Sequence, residues 1–419
     1  MSAHDPRRVV EDLRDHLAAH DRRLAFLFGA GTSSAVNVAS PPAPGAKPEH
    51  KPIIPGVVDL TAMCAAAVSK MGNAHSGAWK SMIKQCEKNG RTANVENLLS
   101  QVRLKMDAIG DGETLVGLDR LQLIEVEKTI CSTIADVVSP ADNIISQRMP
   151  HHDFADWAKK VSRTAPLEIF TTNYDVLLER AFEASGVPVF DGFVGILHPF
   201  FYPECLEDED LLPKPKWIRL WKLHGSVNWV LKVVESVGAK RKRIIRVQPT
   251  KSGELILPSH RKYDESRKQP YMAYMDRLSR MLSAEHALLI TCGYSFGDEH
   301  INAILYGALD NCNTANIISL QFGDLKETDE LVKAAIHRPN LTVIGPNGAV
   351  ISGVLGTWQL AEPVDAKTSS FMDAAFDSNA LPEDAGSPAA ASADLKGTMR
   401  LGDFNWLCQF LKAMGPGFQ

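Results

Sequence analysis

Apolar positions along this chain fall into two regimes. In the first they form short unbroken runs, beginning with Leu24-Ala25-Phe26-Leu27-Phe28, which stops at Gly29-Ala30-Gly31-Thr32-Ser33-Ser34. A run of this length that ends in glycines predicts a strand buried on both faces, the kind found in parallel sheets. Similar runs return at Leu167-Glu168-Ile169-Phe170, at 218–223, at 287–292, at Asn316-Ile317-Ile318-Ser319-Leu320 and at Leu341-Thr342-Val343-Ile344. Helical patterns separate several of them, for example from Val176 to Ala184, ended by Gly186, and from Met272 to Leu282. Strand and helix in alternation predict an α/β fold, a doubly wound parallel sheet of Rossmann-like type.

In the second regime, from about Leu60 to Lys160, apolar residues recur three or four apart. Val95, Leu98, Leu99 and Val102 form one stripe, with Asn94 placed as its N-cap, and Leu123, Val126, Ile130 and Ile134 form another. This predicts a helical insertion subdomain over 61–160, dividing a core made of 1–60 and 161–361. A short amphipathic helix is expected over 6–20, from Val9, Val10, Leu13 and Leu17. The Pro-, Ala- and Lys-rich stretch 39–55 is expected as an exposed loop. From 362 to 397 the composition collapses into Ala, Ser, Asp, Pro and Gly, as in a flexible linker. The segment 398–419 regains Leu401, Phe404, Trp406, Leu407, Phe410 and Leu411, enough to dock back or to bind a partner.

Composition narrows the function classes. With 419 residues and 45% hydrophobic content a sizeable core is expected, and a formal charge of −5 gives no general attraction to nucleic acid or anionic membrane. Any nucleic-acid contact is then local or indirect. The seven cysteines are scattered without a C-x-x-C pair, which argues against a disulfide framework or a zinc ribbon and fits a reducing cytoplasm. No N-terminal signal pattern and no run near the ~18 apolar residues of a membrane helix is present.

The chemistry gathers at strand ends. Gly29, Ala30, Gly31, Thr32 and Ser33 follow the first run, where glycines permit close backbone approach and a helix N-terminus faces a diphosphate. Ser34 stands where the dinucleotide fingerprint has its third Gly or Ala, so this turn alone also reads as a plain strand-to-helix connection. Thr171-Thr172-Asn173-Tyr174-Asp175, Lys222-Leu223-His224-Gly225-Ser226 and Gly293-Tyr294-Ser295-Phe296-Gly297-Asp298 each terminate a further run. Four such segments at the carboxyl edge of one sheet argue for a binding site. Asn173 and Asp175 compete for the cap of the helix that follows, and Asp298 with Glu299 suits either a helix N-terminus or a ribose contact. The run Lys240-Arg241-Lys242-Arg243 reads as a solvated loop or as a local contact with nucleic acid or an acidic partner surface. Trp217, Trp221 and Trp229 read as core or wall residues.

In this order, these four motifs resemble the sirtuin-like domain of bacterial proteins, especially those of anti-phage defence; Asn94-Val95-Glu96-Asn97-Leu98-Leu99 resembles the same branch. The resemblance spans roughly Leu24 to Pro346. It implies NAD as substrate, with Asn173, Asp175 and His224 around the nicotinamide ribose. Gly29 to Ser33, Thr172, Gly225, Ser226, Gly293, Ser295 and Asp298 are then expected to contact NAD. Deacylases of the family carry a four-cysteine zinc module and a Gly-Glu-x-Leu-Pro segment closing a peptide groove; this chain shows neither, so no zinc is expected and water becomes the expected acceptor. The implied activity is NAD glycohydrolysis, with Asn173 holding water or a ribose hydroxyl and His224, whose ordinary pKa is about 6.5, accepting a proton. The alternatives are ADP-ribosyl transfer and a silent NAD or ADP-ribose sensor. The resemblance further implies a cytoplasmic homo-oligomer partnered by a HerA-type ATPase.

Overall fold

The computed structural model describes residues 2–39, 49–140, 148–213, 215–236, 239–248, 265–361, 370–378 and 397–414. Its centre is a ten-stranded sheet. Across it the strands run Ser2–His4, Val354–Trp358, Gly348–Ile351, Leu341–Gly345, Asn316–Leu320, Leu288–Cys292, Leu24–Phe28, Glu168–Thr171, Ile218–Lys222 and Val189–Phe190. The seven from Leu341–Gly345 to Val189–Phe190 are mutually parallel. Leu24–Phe28 lies between Leu288–Cys292 and Glu168–Thr171, and the chain leaves it first to one side and later to the other. That reversal opens a crevice at the carboxyl end of the central strand. The fold is therefore the α/β, Rossmann-like one expected. Leu24–Phe28 has no exposed residue, which is why it reads as an unbroken apolar run.

On one face of the sheet, Phe26 and Phe28 meet Phe154 and Phe404 edge-on, with ring centroids 5.1 to 5.2 Å apart for Phe26–Phe154, Phe28–Phe154 and Phe28–Phe404. Burying each such side chain is worth roughly 1.5–3 kcal/mol, with about 0.5–1.5 kcal/mol more per favourable ring pair. Phe404 belongs to the helix Phe404–Ala413, capped by Asp403, which packs on the helix Pro150–Lys160. The apolar residues of the 398–419 segment that lie within 398–414 thus enter the core, apart from the partly exposed Trp406. Part of the stretch expected as a linker corrects that expectation. Ser370–Ala375 is a helix and Phe376–Asp377 pairs with Thr398–Met399, because Met372, Ala375 and Phe376 find apolar partners beneath Trp358. The remainder of 362–397, except Ser378 and Gly397, lies outside the described residues, as do 40–48 of the expected exposed loop.

Four helices, Val57–Lys70, Asn73–Lys88, Val95–Ala108 and Arg120–Val138, pack into a layer of their own. Both apolar stripes read from the sequence face inward. The Asn94 carboxamide oxygen accepts from the Asn97 amide at 2.9 Å, capping the third helix. Tyr174, Val176, Leu177 and Val227 of the sheet unit join this layer's core, so the layer sits against the strand ends. A second, four-stranded antiparallel sheet contains Trp229–Ser236 and Ala239–Arg246. The basic run expected as a loop is part of this hairpin, with Arg243 stacked 4.6 Å over Phe200. Trp221 and Trp229 are buried, and Trp217 is exposed. No described helix is long and apolar enough to cross a membrane.

Candidate functional site

Two strand-end turns meet without side chains between them. The Gly29 amide donates to Cys292 O at 3.1 Å and the Gly31 amide to Gly293 O at 3.0 Å. A Cβ on Gly29 would stand 2.3 Å from Gly293 O, and one on Gly31 would stand 2.5 Å from the Gly293 Cα. Backbone contact therefore accounts for these three glycines. It also corrects part of the diphosphate expectation, since the Gly29 and Gly31 amides and the Thr32 amide, bound to Gly29 O at 3.0 Å, are already used internally. Ala30 remains exposed at this turn.

Asn173 follows the neighbouring strand and is buried against the same turn. Its side-chain nitrogen donates to Thr32 Oγ1 at 3.0 Å and to Ser33 Oγ at 2.9 Å. Those hydroxyls pass the polarity on: Thr32 donates to Gly29 O at 2.9 Å and Ser33 to Asp175 Oδ2 at 2.7 Å. The amide is thereby fixed, and its oxygen has no hydrogen-bond partner among the described residues. Neither residue expected to compete for the helix cap holds it: Val176 is the N-cap of the helix Leu177–Ala184 and has no side-chain cap bond, while Asp175, one position earlier, accepts at Oδ1 from the Leu177 amide at 3.0 Å. Both Asp175 oxygens are thus engaged, and the residue is buried. Thr32 and Ser33 are likewise sealed, while Thr172 is half-buried.

His224 ends the next strand over, Ile218–Lys222 being paired with Glu168–Thr171. Gly225, at φ +93°, turns the chain there. Ser226 is fully buried and donates to Tyr174 O at 3.4 Å. The imidazole lies between two carboxylates: Nε2 is 2.9 Å from Asp298 Oδ2, and Nδ1 is 3.4 Å from Glu96 Oε1. Burial disfavours the charged ring, yet Glu96 and the hydrogen bond with Asp298 outweigh it and raise the His224 pKa to about 10. The same contacts, working against burial, hold Glu96 below the ordinary range and Asp298 at about 2. These contacts favour the protonated ring, in which Nε2 donates to Asp298 and Nδ1 faces Glu96. This differs from the proton acceptor expected from the sequence, because two carboxylates and not one group face it. Asp298 is both cap and partner: its Oδ1 accepts from the His300 and Ile301 amides at 2.8 and 3.0 Å.

Tyr174 joins the two halves. It sits between Asn173 and Asp175 in the chain, its ring centroid is 6.3 Å from that of His224, and its hydroxyl donates to Glu96 Oε1 at 2.6 Å. On the far side of Gly293, Ser295 and Phe296 wall a cleft of about 600 Å³, shared with Asn302, Tyr306, Gln321 and Asp324. Phe296 holds a left-handed φ of +55°, pinned by Asn302 Nδ2 donating to its carbonyl at 2.7 Å. Such a conformation in a non-glycine residue is retained where surrounding contacts enforce it. The loop from Gly293 to Asp298 thus borders the cleft at one end and His224 at the other.

Residues 167–344 match the family model of the SIR2-like domain. Over that stretch the chain is similar to the SIR2-like domain, a family whose members bind NAD and often act on it. The matched stretch is under half of the chain and shorter than the motifs implied. It contains Asn173, His224, Gly293 and Asp298, and leaves out the Gly29–Ser33 turn and Glu96. No curated protein matches the chain. Among the described residues, no group of three or more His, Cys, Asp or Glu side chains is arranged to hold a metal ion.

Sequence reasoning did not single out Glu96, Asn302, Tyr306, Gln321 or Asp324. Glu96 stood inside a motif already noted. Gln321-Phe322-Gly323-Asp324 follows the Asn316–Leu320 strand as a fifth polar strand end, so the strand-edge rule applied once more would have reached it.

Proposed function

We propose that this protein is an NAD glycohydrolase, cleaving the nicotinamide–ribose bond to give nicotinamide and ADP-ribose. The observation that carries the reading is the pairing of a fixed Asn173 amide, its oxygen without a partner among the described residues, with the His224 cluster on the adjacent strand end; the loop that brings Asp298 to His224 also walls, through Ser295 and Phe296, a separate cleft that could receive the rest of a dinucleotide. The nicotinamide ring is already cationic in NAD and departs neutral without a strong acid, so the demand is to orient the ribose and to stabilise the positive charge that appears on it. The Asn173 oxygen can hold a water or a ribose hydroxyl at the anomeric carbon. Ser295, Asn302, Gln321 and Asp324 supply polar groups, and Phe296 and Tyr306 flat apolar faces, for the adenosine half. Without cysteine pairs for a zinc module, water is the favoured acceptor.

The resemblance to defence proteins extends the reading: depletion of cellular NAD on infection, by a cytoplasmic homo-oligomer working with a HerA-type ATPase. The second reading, a silent NAD or ADP-ribose sensor, draws on the placing of His224 between Glu96 and Asp298, two carboxylates that favour the protonated ring over a proton acceptor. Incubating the full chain with NAD, alone and with the candidate ATPase, and measuring free nicotinamide and ADP-ribose separates these. Release that Asn173→Ala abolishes supports hydrolysis; label retained on a macromolecule points to transfer; tight ADP-ribose binding without turnover favours the sensor.

A further inference from the structure

The two carboxylates that flank His224 differ in what remains available to them. Asp298 is committed at both oxygens, one to two helix amides and the other to the imidazole. Glu96 is gripped at one oxygen alone: Oε1 takes the Tyr174 hydroxyl at 2.6 Å and faces His224 Nδ1 at 3.4 Å, while Oε2 has no hydrogen-bond partner among the described residues. Glu96 is also the open side of the cluster. Its side chain is 40% exposed, against 24% for Asp298 and 9% for His224. A glutamate in the first turn of a helix is ordinarily explained by the helix dipole, but that explanation requires neither the tyrosine hydroxyl nor the imidazolium.

We propose that Glu96 is the catalytic carboxylate of this site, its Oε2 taking a ribose hydroxyl of the ligand and its charge facing C1′ as that carbon becomes positive. The inference rests on the NAD reading above and deepens it. His224 and Tyr174 act as positioning residues that hold Oε1. An imidazolium beside a developing cation is unfavourable unless negative charge exceeds it, and the cluster of two carboxylates and one imidazolium meets that condition. In the reaction the C1′–N bond breaks and its electron pair leaves with nicotinamide, which departs neutral. A water oxygen then bonds C1′, and the proton it sheds passes to Glu96 and on to solvent. The helical layer, which carries Glu96, is thereby part of the active site.

The test uses the full chain, with nicotinamide release and calorimetric ADP-ribose binding as separate measurements. Glu96→Gln keeps both contacts at Oε1 and is expected to lower kcat by about 100-fold with little change in KM; a fall of less than about tenfold overturns the inference and leaves the NAD reading standing. Should Glu96→Gln melt early, Glu96→Asp replaces it, and a fall in kcat of less than about tenfold overturns the proposal while a larger one supports it. If wild type itself releases no nicotinamide, the hydrolase reading fails on its own. ADP-ribose then decides: binding weakened about threefold or more by Glu96→Ala supports the ribose contact, and any smaller change overturns it.

Discussion

Asn173 and His224 stand at the ends of neighbouring strands, yet one is held by neutral hydroxyls and the other by carboxylates. The partners of Asn173 come from the sheet unit alone, within one turn of the glycine contact. Those of His224 come from two units, Asp298 from the sheet and Glu96 from the helical layer. The amide meets a carboxylate only at one remove, through Ser33 and Asp175, whereas the imidazole faces two carboxylates directly and depends on the charge of each. The amide side is thus a fixed template, and the imidazole side is the part open to control.

Breaking the template at its foundation has the largest expected effect. Gly293→Ala places a Cβ 2.6 Å from the Thr32 amide nitrogen at a φ of +66°, so a loss of about 4 kcal/mol or more is expected in denaturant midpoint measurements. Gly77→Ala, in a helix with open space around the site of substitution, is the control and should stabilise by up to about 1 kcal/mol. Next in size, Asn173→Ala should reduce nicotinamide release by about 100-fold while leaving the far-ultraviolet spectrum unchanged; turnover near wild type would remove Asn173 from the reaction.

The charged side is sharpened by pH. His224 has a folded pKa near 10 against about 6.5 unfolded, so the folded state binds its proton more tightly. The stability this provides is complete below about pH 6.5 and declines as pH rises towards 10. Denaturant midpoints of wild type should fall across that window more steeply than those of His224→Gln, and equal slopes would show that the carboxylates do not hold the ring charged. Smallest is Tyr174→Phe, which deletes one donor to Glu96. It should cost about 1 kcal/mol and change turnover by a few-fold, in contrast to Asn173→Ala.

Much of the sheet was legible because strands buried on both faces, such as Leu24–Phe28 and Asn316–Leu320, write themselves as apolar runs with polar ends. The antiparallel pair Gly348–Ile351 and Val354–Trp358 was not, since it is joined by Ser352-Gly353, both at positive φ, and lacks the Asn-Gly or Asp-Gly signal of such turns. At the site, the identities of Asn173 and His224 could be read from their place at strand ends. Their states could not. The charge on His224 depends on Glu96, which lies 128 positions earlier on another layer and whose place after Asn94 already had a sufficient local cause. Asp298 shows the same limit, as one residue serving two purposes that the sequence presented as alternatives.

The bare contact of Gly29 and Gly31 with Gly293 leaves no rotatable side chain to absorb displacement. A push on the loop that runs from Gly293 to Asp298 must therefore be delivered undamped to the short helix bearing Thr32 and Ser33, as in a lever with no play at its pivot.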